Sequence, residues 1–288
     1  MQKTAQQTQS LKAMIDTLLI LTLAFHAVLV LAFVLLAHQT KTNLNCTALL
    51  KAVLFFFIMQ LQDSEIIESL NIKDYKIIQS KNLYRFTSDA VLLSHFAAKS
   101  AKNIVDLCSG SGIVSIHYQA LNECVERAVQ CEIQGELAEM AGRSIELNNL
   151  QDKFTVLNIP LQELKLEKCF DLVLCNPPYE KKSGSMLPKN AHLAICKTEQ
   201  TVTLDDIIRA SAKLLVRGGT LAMCHKAERL SEIIVTLEKY KLSLSRLQFV
   251  YGAAENAYLV LVEATYGKKC ALKVMPSITN NFKDFSGK

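Results

Sequence analysis

The tetrapeptide Asn176-Pro177-Pro178-Tyr179 follows directly on the apolar run 171–175, Asp-Leu-Val-Leu-Cys. Those residue types in that order suit one kind of chemistry, the activation of a planar amino group. Two adjacent prolines fix two φ angles and remove two N–H donors, so the loop holds an amide, its carbonyl oxygens and an aromatic ring in a set relation. A planar exocyclic amine such as adenine N6 is a poor nucleophile, because its lone pair is delocalised into the ring. If the Asn176 side-chain oxygen and the Pro177 carbonyl accept its two N–H groups, the nitrogen pyramidalises toward a donor while Tyr179 stacks on the base. Taken alone, a strand followed by a Pro-Pro turn would carry the same signature.

A second motif lies upstream. The run 103–113, Asn-Ile-Val-Asp-Leu-Cys-Ser-Gly-Ser-Gly-Ile, passes from a short apolar strand through Gly110 and Gly112 into a helical pattern. Strand, glycine turn and helix make a nucleotide-type site, since glycine lets the backbone approach a ligand closely. A dinucleotide fingerprint would place a third glycine at position 115, where Ser115 stands, which weighs against hydride chemistry. The next strand, 128–132, ends in Glu132, about twenty residues past the glycines, where a ribose diol would need a carboxylate. A solvated acid at a strand end is the other reading of Glu132.

With both motifs in hand, the chain resembles the class I S-adenosylmethionine-dependent methyltransferases of the Asn-Pro-Pro-Tyr type. Within them it is most similar to the bacterial tRNA1(Val) adenine-N6 methyltransferase family. The stretches 84–97, 134–150, 192–199 and 224–234 carry the likeness beside the two motifs, within residues 61–282. The resemblance implies S-adenosyl-L-methionine as cofactor and methyl transfer to N6 of an adenine beside the anticodon of a valine tRNA. It assigns the cofactor to Asp106, Cys108, Gly110, Gly112, Glu132 and Asn158, and the target base to Asn176, Pro177, Pro178 and Tyr179. Lys181, Lys182 and Lys197 are placed to hold the RNA phosphates next to Tyr179.

The chain departs from the family pattern at three places. Cys108 and Ser109 replace glycine and another small residue. Asn158 stands where an aspartate usually accepts from the cofactor adenine, and Lys197 replaces an arginine that would make a planar bidentate contact. Methylation of a protein glutamine N5 or of a DNA adenine uses the same tetrapeptide and stays open. So does a non-catalytic RNA-binding or membrane-attached scaffold on the same fold.

The elements that must position these residues alternate. Strands are expected near 103–107, 128–132, 154–158, 171–175, 219–225, 245–251 and 257–264. Helices are expected near 88–98, 113–121, 134–148, 204–216 and 227–240, with Gly218 and Gly219 ending the fourth. The segment Gly252 to Asn256 suggests a hairpin-like connection. The fold class is α/β, a Rossmann-like sheet with helices on both faces. The resemblance implies seven strands with the last pair antiparallel.

The chain has 288 residues, half of them hydrophobic, enough for a well-buried core. Leu18 to Ala37 is uncharged, with Thr22 and His26 as its polar breaks, and is long enough to cross a bilayer. Two readings of residues 1–58 compete. Either this apolar head tethers the domain to a membrane, or translation starts at Met59 and the protein is the methyltransferase domain 59–288 alone. The second is favoured, because soluble, family-like sequence begins immediately after Met59. The net charge of +5 includes +3 from the head, so the remainder is not broadly basic and nucleic acid would meet a local patch. Nine cysteines without a paired C-x-x-C or a histidine cluster fit reduced thiols and no metal. No serine, histidine and acid arrangement stands out, which disfavours a hydrolase.

Overall fold

Five parallel strands lie side by side in the order the alternating pattern demands, and the chain ends of two of them carry the two motifs. The structure is a computed structural model that describes residues 61–62, 64–83, 85–179 and 201–280. The apolar head 1–58, with its span 18–37 and Met59, and Lys181, Lys182 and Lys197 lie outside those residues. Among the described residues no helix is long and apolar enough to cross a membrane.

The elements in chain order are β1 (Glu65–Ser69), β2 (Lys76–Ser80), α1 (Ser88–Phe96), β3 (Asn103–Leu107), α2 (Ile113–Asn122) and β4 (Arg127–Cys131). They continue as α3 (Gly135–Leu147), β5 (Phe154–Leu157), β6 (Phe170–Cys175), α4 (Leu204–Leu214), β7 (Leu215–Lys226) and α5 (Leu230–Lys239). The chain closes through β8 (Leu242–Tyr251), β9 (Ala257–Tyr266), β10 (Lys273–Val274) and β11 (Ile278–Thr279). The main sheet runs β10-β8-β9-β7-β6-β3-β4-β5, with β11 also on β8. Strands β5, β4, β3, β6 and β7 pair in parallel, whereas β9 is antiparallel to both β7 and β8.

A parallel sheet needs cover on both faces, and the strand sequences are accordingly mostly apolar. In β3, Ile104 enters one core with Phe96, Ile116 and Ile145 from α1, α2 and α3. Its neighbour Val105 enters the other, with Ile207, Ile208 and Leu237 from α4 and α5. Leu172 and Val173 of β6 divide the same way, as the two-residue side-chain period requires.

The antiparallel end of the sheet is as expected, and β8 and β9 are joined through the Gly252–Asn256 connection. Four features differ. Among the described residues the main sheet has nine strands rather than seven, because two two-residue strands, β10 and β11, run parallel to the edge of β8. Strand β4 stops at Cys131, which leaves Glu132 just beyond the sheet. A separate antiparallel hairpin, β1–β2, stands in a segment for which no strand was expected. It docks on α3 through Ile78 N–H to Ser144 Oγ at 3.0 Å and Lys76 N–H to Asn148 Oδ1 at 2.9 Å. A bidentate Arg143–Glu65 ion pair at 2.7 and 2.5 Å, both side chains buried, completes that dock.

Finally, Gly218 and Gly219 do not end α4. That helix stops at Leu214, and Leu215 is already extended (φ −72°, ψ 136°) and paired with Phe170. The next register pair is Leu172 with Thr220, so residues 216–219 bulge out of the ladder. Gly218 takes φ +89° at the bulge. A Cβ on Gly219 would lie 3.0 Å from the Phe170 carbonyl oxygen, so the glycines serve the bulge rather than a helix end.

Candidate active site

Asp106, next to last in β3, is completely buried, with one carboxylate oxygen accepting the Ser115 N–H in the first turn of α2 at 3.1 Å. Burial pushes its pKa up to about 7, partly opposed by the Ser115 bonds. Strand and helix are thereby tied across the loop between them. Within the loop Cys108 has φ +56°, the Ser109 N–H reaches the Cys131 carbonyl at 3.1 Å, and the Gly112 N–H reaches the Ser109 carbonyl at 2.8 Å. Gly112 precedes α2 at φ +86°, and a Cβ there would lie 2.5 Å from Gln130 Nε2. No other residue type fits that place without displacing Gln130.

Glu132 is the acidic wall of the site. Its Oε2 accepts the Gly110 N–H at 2.8 Å and its Oε1 accepts the Gln134 N–H at 2.9 Å. Burial raises its pKa, and these backbone bonds only partly offset that. Each carboxylate oxygen keeps a further lone pair for a hydroxyl donor.

An open cleft lies over this loop, and Cys108, Gly110 and Glu132 line it together with Asn176 and Pro178. The glycine turn and the proline corner therefore open on one cavity. Their strands β3 and β6 are direct neighbours in the sheet, which brings the two carboxyl ends together. Phe86, Ile133, Leu161, Gln162 and Val202 are among the residues of the remaining wall, and none of the five stood out in the sequence. Phe86 could have been found inside the family-like stretch 84–97. Ile133, 40% exposed beside a buried acid, is the sort of apolar residue a ligand ring covers. Among the described residues lining the cleft there is no lysine or arginine. An acid, backbone N–H groups and apolar walls suit a cationic sulfonium nucleoside.

Five of the expected residues are placed differently. Asp106 lies beneath the loop and organises it rather than lining the cleft. Gly112 faces Gln130, and Pro177 is buried and does not line the cleft. Asn158 donates both amide hydrogens to backbone, to Glu132 O at 2.9 Å and Ile133 O at 3.0 Å, so it clamps the segment that follows β4. An aspartate could not make those two bonds, which accounts for the asparagine.

Tyr179 is folded back from the cleft onto Asn176. Its hydroxyl donates to Asn176 Oδ1 and lies 3.2 Å from Cys224 Sγ, and its ring tilts at 48° against His225 with centroids 5.3 Å apart. Cys224, fully buried on β7, also donates to Asn176 Oδ1 at 3.0 Å. Burial pushes its thiol pKa well up, which makes it a packing and hydrogen-bonding group rather than a nucleophile. No group of three or more His, Cys, Asp or Glu able to hold a metal occurs among the described residues.

A parallel α/β sheet with its cleft at the strand ends, a glycine turn and an acid on one wall, and an Asn-Pro-Pro-Tyr corner on the other, define a methyltransferase of the Rossmann-like class. The chain belongs to the methyltransferase small domain family, whose model matches residues 86–241, more than half of its length. Among curated relatives, the tRNA1(Val) (adenine(37)-N6)-methyltransferase of Phocaeicola vulgatus is 24% identical over 180 residues, 62% of this chain and 75% of that protein. Among solved structures, protein Atu636 of Agrobacterium tumefaciens, described as a predicted O-methyltransferase, aligns with TM-score 0.52 and 23% identity over 69% of this chain and 92% of that one. M. jannaschii TYW2 in complex with AdoMet aligns with TM-score 0.50 and 12% identity over 71% and 86%. These structural likenesses speak for the fold.

Proposed function

We propose that the protein transfers the methyl group of S-adenosyl-L-methionine to N6 of an adenine in tRNA. The observation that carries the proposal is the single cleft shared by Gly110, Glu132, Asn176 and Pro178. Glu132 takes the cofactor ribose, Gly110 and Cys108 let its backbone pass close, and Ile133 and Leu161 flank its base. The cofactor supplies an electrophilic methyl on sulfur. Opposite it, Asn176 Oδ1 and the Pro177 carbonyl accept the two N–H groups of the target amine, and Tyr179 stacks on the unstacked base. A base in a tRNA loop reaches such a pocket at less cost than one in duplex DNA. Lys181, Lys182 and Lys197 hold the flanking phosphates, a role that rests on their charge and their nearness in sequence to Tyr179.

The test is methyl transfer from labelled S-adenosylmethionine into separate pools of tRNA, DNA and protein, followed by nucleoside and amino-acid analysis. Label recovered as N6-methyladenosine from tRNA is the expected result. The adenine beside the anticodon of tRNA1(Val), the target in the names of the curated relatives, is the first position to map. Label confined to protein glutamine or to DNA would overturn the proposal.

A further inference from the structure

Phe86 stands in the cleft wall, on the link between β2 and α1, and its place is set from the hairpin. The Phe86 N–H donates to Gln79 Oε1 at 3.0 Å, which closes the link back onto the end of β2. Gln79 is itself buried and is held by the other end of its amide, where Nε2 donates to Glu68 Oε2 on β1. Glu68 lies directly opposite Ile77, so Gln79 is its diagonal neighbour on one face of the hairpin. Arg85, adjacent to Phe86 in the chain, donates to the same Glu68 oxygen at 3.2 Å. A carboxylate on one side and a backbone N–H on the other call for a donor and an acceptor in one side chain, which a glutamine amide supplies. The hairpin in turn is fixed to α3 through Ser144, Asn148 and Arg143, so an anchored frame stands behind the ring.

We propose that Gln79 is a positioning residue for the cofactor, setting the Phe86 ring as an apolar wall of the cleft by fixing its backbone. The inference rests on the assignment of S-adenosylmethionine to that cleft. Phe86 shares the cleft with Gly110 and Glu132, so a shift of its backbone carries the ring relative to the residues that hold the ribose. An aromatic ring contributes to binding through the apolar surface it covers on the ligand, and that contribution falls steeply when a gap opens. Gln79 does not line the cleft, and it acts through Phe86.

The experiment is a double-mutant cycle of Gln79→Leu and Phe86→Ala in the full-length protein, with S-adenosylmethionine Kd and melting temperature measured for each variant. Phe86→Ala keeps the N–H and removes the ring, and should weaken cofactor binding about tenfold or more. Gln79→Leu keeps most of the bulk and removes the acceptor, and should weaken binding about fivefold, the scale of one hydrogen bond. In the Phe86→Ala background the same substitution should change Kd less than about twofold, while its effect on melting temperature persists. Equal effects on Kd in both backgrounds would mark Gln79 as merely structural and overturn the inference. Should Gln79→Leu fail to fold, a second pair of variants decides. Gln79→Glu alone sets two carboxylates face to face and should weaken binding; adding Glu68→Gln exchanges donor and acceptor and should restore Kd to within about twofold. No recovery would also overturn the inference. Glu132→Gln separates the two readings. If it leaves Kd unchanged, the cofactor binds elsewhere and the cleft assignment fails, taking the inference with it. Binding weakened by Glu132→Gln but untouched by Gln79→Leu overturns the positioning role alone.

Discussion

Asn158 shows how a single residue type changes a role. From sequence it stood where an acid would accept from the cofactor adenine, with asparagine as a weaker acceptor. The structure turns its amide inward, donating to the Glu132 and Ile133 carbonyls. The two accounts predict opposite outcomes for Asn158→Asp. As a clamp, the change sets a carboxylate against two carbonyl oxygens and costs about 1–3 kcal/mol. Calorimetry should then show cofactor affinity weakened about tenfold or more and a lowered melting temperature. Tighter binding in the variant would restore the adenine-acceptor role. The distinction was not legible in the sequence, because an amide has a donor end and an acceptor end and only the neighbouring backbone decides which one is used. Asn176, Pro178, Gly110 and Glu132 were legible, since their motifs fix both the residue types and the strand ends that carry them.

Elements were easiest to read where the apolar pattern was clear, as in β3, α2 and α3. They were hardest where backbone geometry overrode composition. Gly218 and Gly219 resemble a helix stop, but Leu215 had already joined the sheet, and pairing with Phe170 decided the matter. The β1–β2 hairpin escaped notice because its strands are short and mixed in character, and what holds them is tertiary. Ile77 is buried in the core, and the Arg143–Glu65 pair is closed by hydrogen bonds on both oxygens. The hairpin also feeds the site, since Gln79 Oε1 accepts the Phe86 N–H at 3.0 Å.

Arg143→Ala leaves a buried carboxylate uncompensated. It should destabilise by about 3–5 kcal/mol in denaturant titration, with the loss of hydrogen-exchange protection greatest in β1 and β2. Unchanged protection there would show that the pair does not hold the hairpin. Gly112→Ala is expected to weaken cofactor binding, because its Cβ would fall 2.5 Å from Gln130 Nε2 at a φ of +86°. Wild-type affinity in that variant would show that the loop reshapes freely.

Across the whole molecule, two buried groups impose opposite pH dependences. Asp106 has its folded pKa raised from 3.8 to about 7 by burial, so its stabilising contribution is complete below about pH 4 and is lost as pH rises through about 7. His117, hydrogen-bonded to Ser94 Oγ at 2.7 Å, has its pKa lowered from 6.5 to about 4 by burial and by His95. Its contribution is complete above about pH 6.5 and is lost as pH falls through about 4. Measured against the parent protein, Asp106→Asn should gain in stability as pH rises from about 4 to 7. His117→Gln should gain as pH falls from about 6.5 to 4. The limiting slope is about 1.4 kcal/mol per pH unit in each case. Variant curves that run parallel to the parent's would contradict these assignments. Neither burial was visible in the sequence, where Asp106 read as a ligand and His117 as one of several scattered histidines.

In the proposed function, labour is divided within one cleft: the glycine turn binds the cofactor and the proline corner activates the amine. Asn176→Ala tests that division most directly, with cofactor affinity and methyl transfer measured on the same preparation. Cofactor Kd within a few-fold of the parent's, together with a transfer rate lower by about a hundredfold or more, is the expected result. Equal loss of both would show that Asn176 serves only to build the cleft and would contradict the account.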